Sequence, residues 1–183
     1  NAIQRLSRTE LKTLLRKGAR WALEQGFGSA EDIYYIEESG SMDFADAGLI
    51  SERAIERGLV QMGTLGSGNH FLEVDKVDLI YDLKRAEVLG LFPEQIVLLI
   101  HTGSRGFGYQ ICDDYLKVMS QAVEKFAIHL PDQQLAAAPI QSPEGQNYLQ
   151  AMAAAANYAW SNRQVIMSLA NKVFRKVFGI SQA

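Results

Sequence analysis

The chain has almost no cysteine and almost no histidine. Of 183 residues only Cys112 carries a thiol, which excludes an internal disulfide framework and fits a reducing compartment, with the cytoplasm as the expected location. Charge of one sign is lacking too, since 18 Lys and Arg stand against 21 Asp and Glu for a formal net charge of −3. No whole-molecule field draws in an anionic partner, and such a partner has to be held by a local basic patch. The longest apolar runs are far too short to cross a bilayer, and Asn1 to Lys12 has scattered charges in place of a signal-peptide core. Repeats and low-complexity tracts are missing as well. What is there, at 48% hydrophobic residues, is enough apolar surface for one domain over residues 1–183.

The start at Asn1 in place of Met, and the plain ending Ser181-Gln182-Ala183, lead to the expectation of an internal piece of a longer protein. Ser7-Arg8-Thr9-Glu10 reads as a capping box, and Leu11, Leu14, Leu15, Ala19, Ala22 and Leu23 recur at helical spacing until Gly26. Residues 30–38 mix acids and tyrosines and are open between a short helix and an irregular arm. Ser51 caps a helix over Glu52 to Glu56 that Gly58 closes, and Leu59 to Met62 then reads as a short strand. Alternation resumes with Phe71, Leu72 and Val74 and extends towards Tyr81. Gln95 to Ile100 is apolar throughout, the pattern of a strand buried on both faces. A helix is predicted from Tyr109 to His129, then a surface connection over residues 131–145. Ser142-Pro143 starts an alanine-rich helix to about Trp160, Ser161 to Gln164 interrupt or kink it, and a last amphipathic helix over Val165 to Phe178 carries Lys172, Arg175 and Lys176. Strands and helices without regular βαβ spacing favour an α+β fold.

Two glycine-rich passages hold the residues suited to chemistry. Gly63-Thr64-Leu65-Gly66-Ser67-Gly68 leads into Asn69-His70-Phe71-Leu72-Glu73, and the run Ile96 to Ile100 ends in His101-Thr102-Gly103-Ser104-Arg105-Gly106-Phe107-Gly108. No lysine follows the first loop as a P-loop requires, and the dinucleotide fingerprint is absent. His70 and His101 each sit where an apolar segment meets such a turn, a position that fixes an imidazole while leaving one side open to a metal. Two histidines do not fill a metal shell, and either one also suits bracing its own loop. Glu73 reads first as a partner for a nearby cation, and Phe71 as a core residue. Arg105 suits a phosphate clamp or a brace against a carboxylate. The polar group Asn162-Arg163-Gln164 suits an anion at a helix start or a hydrogen-bond network at a joint. His129 reads as an ordinary helix-terminal residue, and Cys112 as an inert core thiol.

On these residues the sequence resembles the RtcB family of RNA-splicing ligases. Gly63 to Val74 and His101 to Gly108 are similar to that family's signature passages, and Ala45-Asp46, Ser51 to Gly58 and Asn157 to Gln164 match it more loosely in the same order. The resemblance runs over essentially the whole chain. It implies an RtcB-like α+β fold and an enzyme of RNA repair and tRNA splicing. Such an enzyme joins RNA ending in a 2′,3′-cyclic phosphate or 3′-phosphate to a 5′-hydroxyl end, using GTP and manganese through a guanylylated histidine. Carried over by position, His70 and His101 would be manganese ligands, one on each of two ions. Asn69, His70, Phe71, Leu72 and Glu73 would line the GTP site, and Arg105 would face RNA phosphate. RNA, GTP and an accessory activator protein are the implied partners, with no membrane.

The sequence departs from the family pattern in its ligands. The family's upstream Asp and Cys ligands would precede residue 1, and Cys112 does not sit in their motif. Its third metal histidine and the histidine that accepts GMP would both lie beyond Ala183, so no catalytic residue is assigned here and the chain alone is expected to be inactive. Two other readings remain open at this point: a metal-dependent phosphoesterase using the same histidines, and a non-catalytic RNA- or nucleotide-binding module.

Overall fold

A computed structural model describes residues 3, 5–132 and 135–179. It is α+β, helices forming most of it and one antiparallel pair of strands the rest. The chain divides into two compact units: a larger one of residues 1–64 and 103–183, and a smaller one of residues 65–102.

The larger unit begins with α1 (Arg8–Lys17), where the expected capping box is present: Ser7 Oγ accepts from Glu10 N, and Ser7 N donates to Glu10 Oε2 at 2.7 Å. The predicted single helix to Gly26 is interrupted. Gly18, at φ 57° and ψ −139°, turns the chain so that α2 (Ala19–Glu24) starts afresh. Residues 30–35 and 37–40, open in the sequence, form short 3-10 turns.

In α3 (Glu52–Gln61) the cap at Ser51 is as expected, but neither the stop at Gly58 nor the strand over Leu59 to Met62 occurs. Gly58 stays inside the helix, buried, because a Cβ there would sit 3.1 Å from Phe107 and 3.3 Å from Leu11. Close packing at that point takes precedence over glycine's low helix propensity.

Helix α5 (Arg105–Lys125) starts and ends four residues earlier than the predicted span, which leaves His129 beyond its end. Cys112 is exposed, contrary to the expected core thiol. It lies beside Tyr115 and Met119 on the wall of an apolar cavity of about 340 Å³.

The larger correction concerns α6 (Pro143–Phe178). It starts at Ser142-Pro143 as expected and then runs unbroken for 36 residues, so no break or second helix start exists at 161–164. Asn162 and Gln164 are polar because they are buried against loops that need hydrogen bonds, not because the helix ends, and buried Ser161 donates within the helix to Asn157 O. Around α6 pack α1, α2 and α5, with α3 on α5. Leu11, Leu14, Leu15, Phe107, Tyr158 and Val165 are fully buried there. The Phe107 and Tyr158 rings stack 5.0 Å apart, and Tyr158 Oη donates to Gly58 O.

The smaller unit contains β1 (Phe71–Lys76), α4 (Leu83–Val88) and β2 (Ile96–His101). The strands pair antiparallel with Phe71 opposite His101 and Lys76 opposite Ile96. β1 does not extend to Tyr81. Residues 77–80 leave the strand, and α4 follows, capped by Asp82 accepting from Arg85 N. The expectation that β2 is buried on both faces does not hold for this chain, since Ile96 and Leu99 are 60% and 50% exposed. An apolar run alone does not reveal whether a cover exists.

Candidate metal centre

At the open end of the ribbon the register does what the sequence could not specify. Phe71 and His101 are direct partners across the pair, so their side chains share a face, and their rings meet edge to face at 5.1 Å. His70, one residue before β1, brings its ring 6.1 Å from that of His101, at 72° between planes. The expected convergence of His70 and His101 is therefore present, with Phe71 as the third ring of the group. The sequence reading of Phe71 as a core residue is modified: it is half-buried and braces His101.

The glycine loop sets the orientation of His70. Gly66 and Gly68 have φ of 121° and 74°, backbone that side chains with a Cβ rarely adopt. The turn they make places Ser67 O 2.9 Å from His70 Nδ1. A proton on Nδ1 donated to that carbonyl puts the ring's lone pair on Nε2, the tautomer a metal ligand needs. Thr102, buried at the end of β2, donates to Leu65 O at 2.5 Å and ties the two glycine-rich passages together within the unit. His70 is half-buried and His101 exposed, so neither ring is sealed among apolar side chains.

The remaining sequence candidates divide. Asn69 is exposed on the turn before His70. Along β1, Glu73 shares the face of Phe71 and His101, whereas Leu72 lies on the opposite face. Among the described residues Glu73 enters no ion pair, so the expected Lys or Arg partner is not found. Arg105 belongs to the larger unit. It opens α5 at φ 57°, and its Nε donates to Thr64 Oγ1 at 3.2 Å, while Gly106 N donates to Gln61 Oε1. A non-glycine residue at positive φ at a helix start is strained, a condition that collects at functional positions.

Of the two readings of Asn162, the hydrogen-bond network is the one present, while the role of Asn157 was not foreseen. Asn162, fully buried, accepts from Gly63 N and Thr64 N and donates to Thr64 O and Gly103 O. Asn157, equally buried, accepts from Met42 N and donates to Leu15 O and Met42 O. The available signal was a pair of asparagines among alanines and aromatics on one helix. Asparagine is a poor helix former, so its presence at buried positions implies bonds made elsewhere.

Two imidazoles suit manganese in kind. An ion about 2.1 Å from one nitrogen of each ring would hold the ring centres about 5 Å apart at right-angled or tetrahedral geometry. The observed 6.1 Å is wider and suits neighbouring ions, one per ring. In number the donors fall short, because no group of three or more His, Cys, Asp or Glu able to hold an ion occurs among the described residues. The remaining ligands would be oxygen donors from elsewhere, as expected for manganese.

A family model described as tRNA-splicing ligase RtcB matches residues 1–183. Among curated relatives, a tRNA-splicing ligase RtcB of Methanocaldococcus jannaschii is 49% identical over 178 residues, which covers 97% of this chain and 18% of that protein. The proteins of the same name from Methanococcus maripaludis and Pyrobaculum aerophilum are 52% and 51% identical, over 97% and 96% of this chain and 37% and 36% of their own lengths. The chain thus spans between about a fifth and just over a third of these relatives. No helix among the described residues is long and apolar enough to cross a membrane.

Proposed function

Since the chain belongs to the RtcB family of tRNA-splicing ligases, we propose that it supplies part of the metal and nucleotide site of an RNA ligase. In this reading the whole protein joins RNA ending in a 2′,3′-cyclic phosphate or 3′-phosphate to a 5′-hydroxyl end, with GTP and manganese, in the cytoplasm. GMP travels on a histidine that is none of His70, His101 and His129. The observation that carries the proposal is the pairing of the His70 and His101 rings at 6.1 Å, beside a glycine turn that presets the tautomer of His70.

Within this site the chain's own residues bind and orient. His70 and His101 hold the metal, Ser67 O fixes the His70 ring, and the Phe71 ring edge keeps His101 from rotating away. Asn69, Phe71, Leu72 and Glu73 line the approach of the guanine nucleotide, with the Asn69 amide and Glu73 carboxylate as its polar contacts. In the larger unit, Arg105, whose Nε donates to Thr64 Oγ1, is the residue that takes an RNA phosphate. When bound, manganese supplies positive charge at the nonbridging oxygens of the phosphoryl group being transferred.

The test uses the whole protein with labelled GTP, manganese, and an RNA pair bearing a 2′,3′-cyclic phosphate and a 5′-hydroxyl. A covalent GMP adduct and a joined product are expected, both lost in His70→Ala and His101→Ala. RNA binding with neither adduct nor product would favour the non-catalytic module. Hydrolysis of the cyclic phosphate without joining would favour the phosphoesterase.

A further inference from the structure

The C-terminal half of α6 presents a row of polar side chains that the ligase reading does not use. Gln164, Ser168, Lys172 and Arg175 recur every three or four residues and therefore lie along one side of the helix. The turn Gly26 to Ser29 and the side chain of Asp32 face them, and together they enclose a cavity of about 370 Å³, also lined by Met167 and Asn171. All of these residues belong to the larger unit.

The bonding inside the cavity is uneven. Gln164 is satisfied: its Nε2 donates to Phe27 O at 3.1 Å and to Asp32 Oδ2 at 2.6 Å. Asp32 is engaged by the turn as well, since Ser29 N donates to the same Oδ2 at 3.0 Å and Ser29 Oγ donates to Oδ1 at 3.4 Å. Ser168 is only 8% exposed, and its hydroxyl, on the cavity wall, has no hydrogen-bond partner among the described residues. A hydroxyl on the wall of a cavity with no protein partner is available as a donor to whatever enters it. Lys172 and Arg175 enter none of the ion pairs among the described residues. Lys172 Nζ lies 5.4 Å from the centre of the Phe27 ring, which holds it over the turn.

We propose that this cavity binds a phosphate group. Two cations stand against one committed carboxylate, with the Ser168 hydroxyl one turn before Lys172 on the same wall. A guanidinium fork and an ammonium are the side chains that recognise phosphate oxygens, and the volume suits one nucleotide-sized group. Asn162 and Gln164 themselves serve the hydrogen-bond network that the sequence offered as one of two readings, and Gln164 forms the inner wall of this cavity. The group recognised is the same whether it belongs to an RNA backbone or to a free nucleotide.

Binding is measured on the full chain without GTP or manganese, so failure of the ligase reading leaves this result untouched. The probes are inorganic phosphate, GMP and a single-stranded RNA oligomer. The doubly substituted Lys172→Gln/Arg175→Gln protein should bind about tenfold more weakly. Ser168→Ala, which changes no charge and keeps the helix, should bind about threefold more weakly. Lys176→Gln, on the same helix but off the cavity wall, serves as the control for general charge. If phosphate and GMP lose affinity in both cavity variants, the site takes a free nucleotide. If only RNA does, with a salt slope reduced by about 1.4, it takes the backbone. No binding of any probe, unchanged affinity in the cavity variants, or an equal loss in Lys176→Gln would overturn the proposal.

Discussion

Replacing Asn162 by alanine isolates the strongest claim about how this fold holds its loops. Its side chain, fully buried on α6, makes four hydrogen bonds to backbone: from Gly63 N at 2.8 Å and Thr64 N at 3.3 Å, and to Thr64 O and Gly103 O, both at 3.1 Å. Alanine removes all four and leaves four backbone groups to find other partners. At about 1 kcal/mol net per bond, with the long Thr64 bond discounted, the loss is about 3 kcal/mol. That is a large share of a whole-domain stability of about 5–15 kcal/mol. In a chain of this size it corresponds to a fall of about 9 °C in melting temperature. Urea denaturation measures it, with an unchanged slope showing that only the native state was affected. Amide exchange gives the local readout: Gly63 and Thr64 should lose protection ahead of the amides of α6. A loss below about 1 kcal/mol, or unchanged exchange at these two amides, would refute the assignment of Asn162 as the loop clamp.

Further outcomes follow from the same structure. Gly18→Ala should cost more than about 2 kcal/mol in chemical denaturation, because φ 57° with ψ −139° is closed to alanine and its Cβ would collide with Gly40 O. A variant within about 0.5 kcal/mol of the native protein would mean that the α1–α2 junction relaxes freely. Burial pushes the Tyr158 phenol well above its ordinary range, against a smaller opposing pull from Arg105. A raised acid is a stability contribution present below the unfolded pKa and lost above it. Alkaline stability should therefore fall from about pH 10 upward, and less steeply in Tyr158→Phe. Identical slopes in the two proteins would remove Tyr158 from the cause.

What the sequence reveals and what it hides divides along a physical line. The caps at Ser7, Ser51 and Ser142 were legible because a cap is made by residues three apart in the chain. Whether a helix continues past a polar or glycine residue was not legible, because distant partners decide it. Gly58 continues α3 because Phe107 and Leu11 need its missing Cβ, and Asn162 continues α6 because two loops need its amide. The exposure of β2 escaped for a similar reason: Ile96 and Leu99 carry no sign of whether another layer lies over them. At the candidate centre, the residue types and their place beside glycine turns were readable. The register that sets Phe71 against His101 and brings His70 to the same end was not, since it depends on pairing across 30 residues of chain.

Manganese binding to the full chain, followed by the paramagnetic signal of the free ion, tests the histidine pair most directly. If each ring holds its own ion of a neighbouring pair, either alanine variant weakens binding and the double variant weakens it further. Native affinity retained in both single variants would contradict the account, and the pairing of the two rings would then be a loop contact only.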